Sequence, residues 1–319
     1  MKKILIFKSD RIGDFINISS VIKNIKYNFP DSKLAVFCSK YNSKIASYYK
    51  EIDEILIYEN NIILFLFKFY KIIFFYKFDL VLQLDGKKNS YLYASLIRSK
   101  LKACISYIKN RNFLGIKHKS IRPNIIYKPF FKHIVDCLED YEHPNNNAYH
   151  YLSLYYRLLD QLKIEIKNKK HYLPFISHKN NLFENYILIH IDNRWDLFDK
   201  IFLENFSKKI NELSLNYNLI FTSNYEGNHY FDKLKFKFSD NKNIKFVDKS
   251  SINELLNIIY HCNTVISSHT GFVVHAGSAF NKKIIDVINV KIDKELDRWI
   301  PFDINYKRIY FNKLSDLNI

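Results

Sequence analysis

The sequence predicts an α/β protein made of two doubly wound parallel-sheet domains in series. Three observations carry that prediction. Short apolar runs alternate with segments of helical apolar spacing over residues 3–107, and the alternation restarts over 186–288. The stretch between the two alternations includes Glu165–Asn181, which is rich in Lys and Asn and broken by Pro174, as a linker would be. A chain of 319 residues, 48% of them apolar, can fill two separate cores. Domains of residues 1–165 and 166–319 follow.

In the first half, strands are expected at Lys3–Phe7, Lys33–Cys38, Glu54–Tyr58, Asp79–Leu84 and Lys102–Tyr107. Helices are expected at Asp14–Tyr27, Tyr41–Lys50, Ile62–Tyr76 and Asn89–Arg98; in the first, Phe15, Ile18, Ile22 and Ile25 share one face. From Ile108 to Ala148 the pattern fails. Pro123, Pro129 and Pro144 fall there, followed by Asn145–Asn147, and the stretch reads as loop at a domain edge. Tyr149–Leu162 reads as a helix.

In the second half the expected strands are Tyr186–Ile191, Asn218–Ser223, Asn243–Val247, Thr264–Ser268 and Lys283–Ile288. The helices between them are Leu203–Leu215, Asn228–Phe236, Ser251–His261 and Gly271–Phe280. Ser251 with Glu254 three residues later predicts a capping box. Strand and helix in alternation imply parallel βαβ units, whose ligands bind beyond the carboxyl ends of the strands and, with two such domains, in a cleft between them.

Lys and Arg number 49 against 32 Asp and Glu, a net charge of +17. That charge suits an anionic partner: a nucleotide, a phosphorylated sugar, nucleic acid or an acidic membrane surface. A Lys-rich composition raises the charge everywhere and explains it equally well. No nucleic-acid partner is expected, because no RNP, zinc-finger or helix-turn-helix signature accompanies the lysines. Cys38, Cys104, Cys137 and Cys262 are widely spaced, the usage of a reduced, cytoplasmic chain. Ile4–Phe7 gives only four apolar residues before Lys8, Asp10 and Arg11 intervene, so the start reads as a strand and not a secretory core. Ile62–Tyr76 is the most apolar stretch, shorter than the ~20 residues that span a bilayer. It fits either a crossover helix packed on a sheet or, through Lys68 and Lys71, an interfacial helix on a membrane.

Only 6 glycines occur, and Gly13, Gly86, Gly227 and Gly271 fall just past expected strand ends, where a ligand or a tight turn needs the missing Cβ. Neither GxGxxG nor GxxxxGK[ST] is present, which removes the nicotinamide fingerprint and the P-loop. No HExxH, clustered His or GxSxG occurs, so neither a metal centre nor a serine hydrolase is expected. Two local signals remain. Arg11-Ile12-Gly13-Asp14 puts a carboxylate at a helix start directly after a strand, where it serves either as a cap or as a proton acceptor. Ser267-Ser268-His269-Thr270-Gly271 puts hydroxyls and helix N–H groups together, either as a plain cap or as a site for a diphosphate. His275 lies one turn further on.

With these residues quoted, the chain resembles the heptosyltransferase-like glycosyltransferases of lipopolysaccharide core synthesis. The resemblance rests on Ile4–Asp14 with its Gly-Asp, on Phe29-Pro30-Asp31 before a strand, on Phe78–Gly86, and on Ser251–Gly271 ending in Thr-Gly. It implies the GT-B fold and inverting transfer of a heptose-like sugar from a nucleotide-diphosphate donor, ADP-heptose in the family, to a hydroxyl of a lipid-linked glycan. It implies Asp14 as general base. It implies Thr270 and Gly271 beside the donor diphosphate, Lys200 and Arg194 as phosphate-binding cations, and Thr222, Ser223 and His275 near the donor. No cofactor or metal is required by this reading, and the protein would work in the cytoplasm or on the cytoplasmic face of the inner membrane. Where the family has Asp before Thr-Gly, this chain has His269, and its histidine after Thr-Gly comes one residue late. Two other readings stay open: a nucleotide-sugar epimerase or hydrolase of the same fold, and a non-catalytic binder of nucleotide sugars or nucleic acid.

Overall fold

A computed structural model describes residues 1–113, 116–123, 126–138, 150–179, 182–223, 229–289, 296–302 and 304–317. Gly227, Asn228, Pro144 and Asn145–Asn147 lie outside the described residues. The chain divides into two compact units, residues 1–171 and 172–319, where the sequence drew the boundary at 165.

The first unit opens with β1 (Lys3–Phe7), α1 (Ile12–Asn17), α2 (Ser19–Asn28), β2 (Lys33–Cys38), α3 (Lys40–Ala46) and β3 (Glu54–Ile57). It continues through α4 (Ile62–Lys68), α5 (Tyr70–Phe74), β4 (Phe78–Gln83) and α6 (Lys88–Leu96). Then come β5 (Ser99–Phe113), β6 (Ile116–Arg122), β7 (His133–Leu138) and α7 (Tyr151–Gln161). The sheet runs β3-β2-β1-β4-β5-β6, with β7 also paired to β5. Pairing is parallel except between β5 and β6.

Three expectations are corrected here. The stretch from Ile108 onward is not simply loop: β5 runs on to Phe113, turns back as β6, and β7 follows. The end of β5 and β6 are rich in Lys, Arg, Asn and His, and in β7 Asp136 splits Ile134-Val135 from Cys137-Leu138, so pattern reading passes over them. The helix expected over Asp14–Tyr27 is two helices broken at Ile18, and that over Ile62–Tyr76 is two helices broken at Phe69.

The second unit contains β8 (Tyr186–His190), α8 (Lys200–Ser214), β9 (Asn218–Ser223), α9 (His229–Lys237) and β10 (Ile244–Asp248). After these come α10 (Ile252–His261), β11 (Thr264–Ser267), α11 (Gly271–Ala279), β12 (Lys283–Ile288) and β13 (Tyr306–Tyr310). Its six strands are ordered β10-β9-β8-β11-β12-β13 and all pair in parallel. The order reverses beside β8, the crevice where doubly wound sheets bind ligands. Every residue of β8 and β11 is buried, as expected for parallel strands covered by helices on both faces. The Ser251–Glu254 capping box at α10 is formed in both directions. β13 escaped the sequence reading because, of Tyr-Lys-Arg-Ile-Tyr, only Ile309 is buried.

No helix among the described residues is long and apolar enough to cross a membrane. All four cysteines are buried and none forms a disulfide.

Candidate functional site

Each unit gathers polar side chains at the carboxyl ends of its central strands. In the first unit the end of β1 carries Lys8, whose ammonium is buried and lies 2.7 Å from Asp10 Oδ2, 2.9 Å from the Tyr155 hydroxyl and 3.4 Å from the Leu84 carbonyl. Burial alone would strip that proton, but Asp10, Tyr155 and Asp14 hold Lys8 charged and push its pKa up. Asp10 is raised to about 7, chiefly by burial, with Asp14 and Asp85 adding to it against the pull of Lys8.

Asp85, just past β4, is fully buried and ties the turn after β1 to the turn after β4. It accepts from the Ser9 N–H at 2.9 Å, the Ser9 hydroxyl at 2.8 Å, the Ser90 hydroxyl at 3.0 Å and the Lys87 N–H at 3.0 Å. Lys87 closes the loop by donating to the Ser9 carbonyl at 2.5 Å. Asp14 sits in the first turn of α1, half-buried. Burial raises its carboxyl pKa, while Lys8 and Arg11 pull the other way. The carboxylate is thus more basic than one in water, the direction a proton acceptor needs.

In the second unit the site is built on the turn after β8. Asp192 accepts from the Arg194 N–H at 3.0 Å and so starts a short 3-10 turn over Asn193–Leu197. Trp195 anchors the turn: its indole is buried against Phe198, Phe202 and Phe206, and its N–H reaches the His190 carbonyl at 3.2 Å. That fixes Arg194, whose Nη1 donates to Asp192 Oδ2 at 3.1 Å and to the His269 carbonyl at 2.8 Å. Thr270, the residue before α11, donates its hydroxyl to the same Asp192 oxygen at 2.7 Å.

The consequence for α11 is specific. Thr270 stands at the capping position yet makes no capping bond, because its hydroxyl is turned to Asp192. The first-turn N–H groups of α11, with their share of the helix dipole, therefore lack a side-chain cap beside a guanidinium that is partly exposed. Chemically, such an arrangement can hold an anion.

Around it lie His190 and Thr222, paired across β8 and β9 with His190 Nδ1 2.9 Å from the Thr222 hydroxyl. Burial, and less strongly Arg194, drives the His190 pKa down to about 4 against the attraction of Asp192, so the ring is neutral. On the other side Asp286 of β12 accepts from the Ser267 hydroxyl at 2.7 Å, the His269 N–H at 3.1 Å and the Tyr306 hydroxyl at 2.9 Å. His269 Nδ1 lies 2.5 Å from Asp286 Oδ2. Burial works to raise the Asp286 pKa, but these donors outweigh it and hold the carboxyl below its usual range.

Of the residues picked from the sequence, Arg194, Thr270 and Gly271 are brought together. His275 is buried one turn into α11, its Cδ2 4.0 Å from where a Cβ on Gly271 would stand. Thr222 and Ser223 are buried at the end of β9. Lys200, expected in the loop after β8, instead opens α8, exposed, and makes none of the contacts that join Arg194 to Thr270. Asp14 belongs to the first unit. The sequence reading missed Lys8, Asp10, Asp85 and Asp192, single residues just past strand ends, and Asp286, inside β12; none has a motif to mark it. Among the described residues no three His, Cys, Asp or Glu are grouped to hold a metal ion.

One further surface is exceptional. Phe65 and Phe69 anchor α4 inward, Phe65 stacking on Tyr93 at 3.7 Å and Phe69 meeting Phe37 edge-on at 4.8 Å. The outer side of the same segment is also apolar: Phe67 is 83% exposed, Phe75 75% and Ile63 72%, with Leu64, Tyr70, Phe74 and Tyr76 exposed beside them. Lys68, Lys71 and Lys77 are interspersed and exposed.

No family model and no curated protein matches the sequence. Solved structures do. Escherichia coli heptosyltransferase WaaC with ADP superposes with a TM-score of 0.72 at 15% identity, covering 99% of this chain and 96% of that one. The same enzyme with ADP-2-deoxy-2-fluoro heptose gives 0.70 at 14%, covering 99% and 96%. A family 9 glycosyl transferase from Veillonella parvula gives 0.73 at 13%, covering 97% and 86%. UDP-GlcNAc 2-epimerase from Methanocaldococcus jannaschii is less alike, with 0.57 at 13%, covering 98% and 90%. Together with two parallel-sheet α/β units, these likenesses show that the chain has the GT-B fold.

Proposed function

We propose that the protein is an inverting glycosyltransferase that moves a heptose-like sugar from a nucleotide-diphosphate donor to a hydroxyl of a lipid-linked glycan. The observation that carries this reading is the uncapped start of α11 beside Arg194 at the reversal point of the second sheet. In this reading the second unit binds the donor and the first handles the acceptor. The diphosphate lies on the first-turn N–H groups of α11 and on Arg194, with Lys200 supplying a further cation and Thr222, Ser223 and His275 bordering the donor. WaaC, solved with ADP, supports a nucleotide ligand for this fold.

Asp14 takes the proton from the acceptor hydroxyl while that oxygen attacks the anomeric carbon. The bond from that carbon to the diphosphate oxygen breaks, and the diphosphate leaves with its electron pair. Arg194 and the α11 dipole stabilise the charge that grows there. Burial raises the Asp14 pKa, which makes its carboxylate a better proton acceptor than one in water, and the charge of Lys8 acts on it against that rise.

A lipid-linked acceptor sits at a membrane, and the outer side of α4 and α5 suits that surface. Aromatic rings enter the headgroup boundary while Lys68, Lys71 and Lys77 meet anionic lipid. We place the activity at the cytoplasmic face of the inner membrane.

The test is a two-step assay: nucleotide-sugar binding by calorimetry, then transfer to lipopolysaccharide-core acceptors. Asp14→Asn should keep donor affinity within about twofold while transfer falls by about two to four orders of magnitude. Unaltered turnover removes Asp14 from the reaction. Conversion of the donor with no acceptor present would favour the epimerase or hydrolase reading.

A further inference from the structure

Three donors beside the start of α11 converge on one carboxylate. Asp192 Oδ2 takes the Thr270 hydroxyl at 2.7 Å and Arg194 Nη1 at 3.1 Å, while Oδ1 takes the Arg194 N–H at 3.0 Å. The residue is only 7% exposed, so water does little to weaken its field. A carboxylate is an odd group to find where an anion is to bind. The guanidinium supplies one positive charge, and Asp192 already cancels it. The remaining proton of Nη1 goes to the His269 carbonyl at 2.8 Å, so that nitrogen keeps none for a ligand.

Two roles are open to such a carboxylate, and they predict opposite signs. A brace holds the guanidinium in aim and leaves the other donors to the ligand. A competitor takes for itself the donors that the ligand needs. Asp192 takes the Thr270 hydroxyl, which stands at the capping position of α11, and does so with the same oxygen that pairs with Arg194. Phosphate and carboxylate oxygens both act as acceptors, so a phosphate seated on the first-turn N–H groups seeks that same hydroxyl. It also lies close to the carboxylate, like charge against like charge in a partly buried place. The local fold needs neither the charge nor the second oxygen. The 3-10 turn uses only the acceptor for the Arg194 N–H, which Asn or Ser supplies as well, and Trp195 anchors the turn separately.

Resting on the reading of this site as one for a nucleoside diphosphate, we propose that Asp192 is an internal competitor for the ligand's phosphates. It holds Thr270 and Arg194 as a phosphate would, and a diphosphate binds by taking them from it. Asp192 thereby keeps the affinity of the site below what the same donors give unopposed. The same competition acts on the nucleoside diphosphate left after transfer and favours its release.

The experiment is calorimetry of ADP, UDP and GDP, with adenosine, uridine and guanosine as phosphate-free controls, each with and without magnesium. The proteins are wild type, Asp192→Asn and Asp192→Ser. Asn keeps the shape and removes the charge; Ser keeps a capping oxygen on a shorter arm that releases Thr270. For the diphosphate that wild type binds best, both variants should bind about tenfold or more tightly than wild type, the weight of one like charge removed at close range. The matching nucleoside should change by less than about twofold, a readout that a general loosening of the turn would not leave alone.

Unchanged or weaker diphosphate binding by both variants overturns the proposal and makes Asp192 a brace. Wild-type binding that requires magnesium and is lost in Asp192→Asn also overturns it, by making Asp192 a metal ligand. If wild type and both variants bind no nucleoside diphosphate, the reading of the site fails and this inference with it. If wild type binds and the variants gain nothing, only this inference fails.

Discussion

His190 gives the sharpest thermodynamic consequence of the second-unit site. Its ring is buried between Thr222 and the Asp192–Arg194 pair, and burial takes its pKa to about 4 from an ordinary 6.5. As pH falls below the ordinary value, the unfolded chain takes up a proton that the folded ring refuses until about pH 4. Stability is therefore complete above that window and drains away through it. Linkage puts the loss from this one residue at about 2 kcal/mol between about pH 7 and pH 5. The assay is urea unfolding at several pH values for wild type and His190→Gln, read by tryptophan fluorescence. Both of the protein's 2 tryptophans, Trp195 and Trp299, lie in the second unit, so the signal reports that unit alone. The variant should be less stable at pH 7, and its deficit should shrink by about 2 kcal/mol at pH 5. A deficit that stays constant across the range refutes the argument, because it would mean His190 titrates normally inside the folded protein.

Two further predictions address the proposed ligands. Arg194→Ala should weaken nucleoside diphosphate binding by about 10- to 100-fold, the weight of a charged hydrogen bond, whereas Lys200→Ala, on an exposed first turn, should cost only about two- to fivefold; calorimetry at fixed salt measures both. Phe67→Ser with Phe75→Ser should reduce sedimentation with anionic vesicles by about tenfold or more without changing thermal stability, since neither ring packs in the core.

What was legible in the sequence is what burial writes there. Lys3–Phe7, Lys33–Cys38, Asn218–Ser223 and Lys283–Ile288 are central parallel strands covered on both faces, so each is a nearly continuous apolar run with matching bounds. β6 and β7 lack such runs, and their pairing is fixed by β5 and not by their own periodicity. The Thr270–Gly271 turn was visible because glycine is scarce in this chain. Its working parts were less visible. Asp192 and Asp286 are ordinary aspartates in sequence, and only folding shows that one diverts the Thr270 hydroxyl while the other pins an imidazole. The resemblance puts Lys200 ahead of Arg194 as the cation of one loop; the buried Trp195 turn reverses that order, holding Arg194 beside Thr270 and leaving Lys200 exposed at the start of α8.

The diverted Thr270 hydroxyl also makes α11 an unfinished helix. Its opening turn lacks the side-chain acceptor that a capping hydroxyl would give, so on the proposed reading a bound diphosphate would complete a piece of secondary structure as well as fill a site. Occupancy and local order in that turn would then rise together, and part of the attraction for a diphosphate would come from backbone N–H groups that its own side chain leaves uncapped.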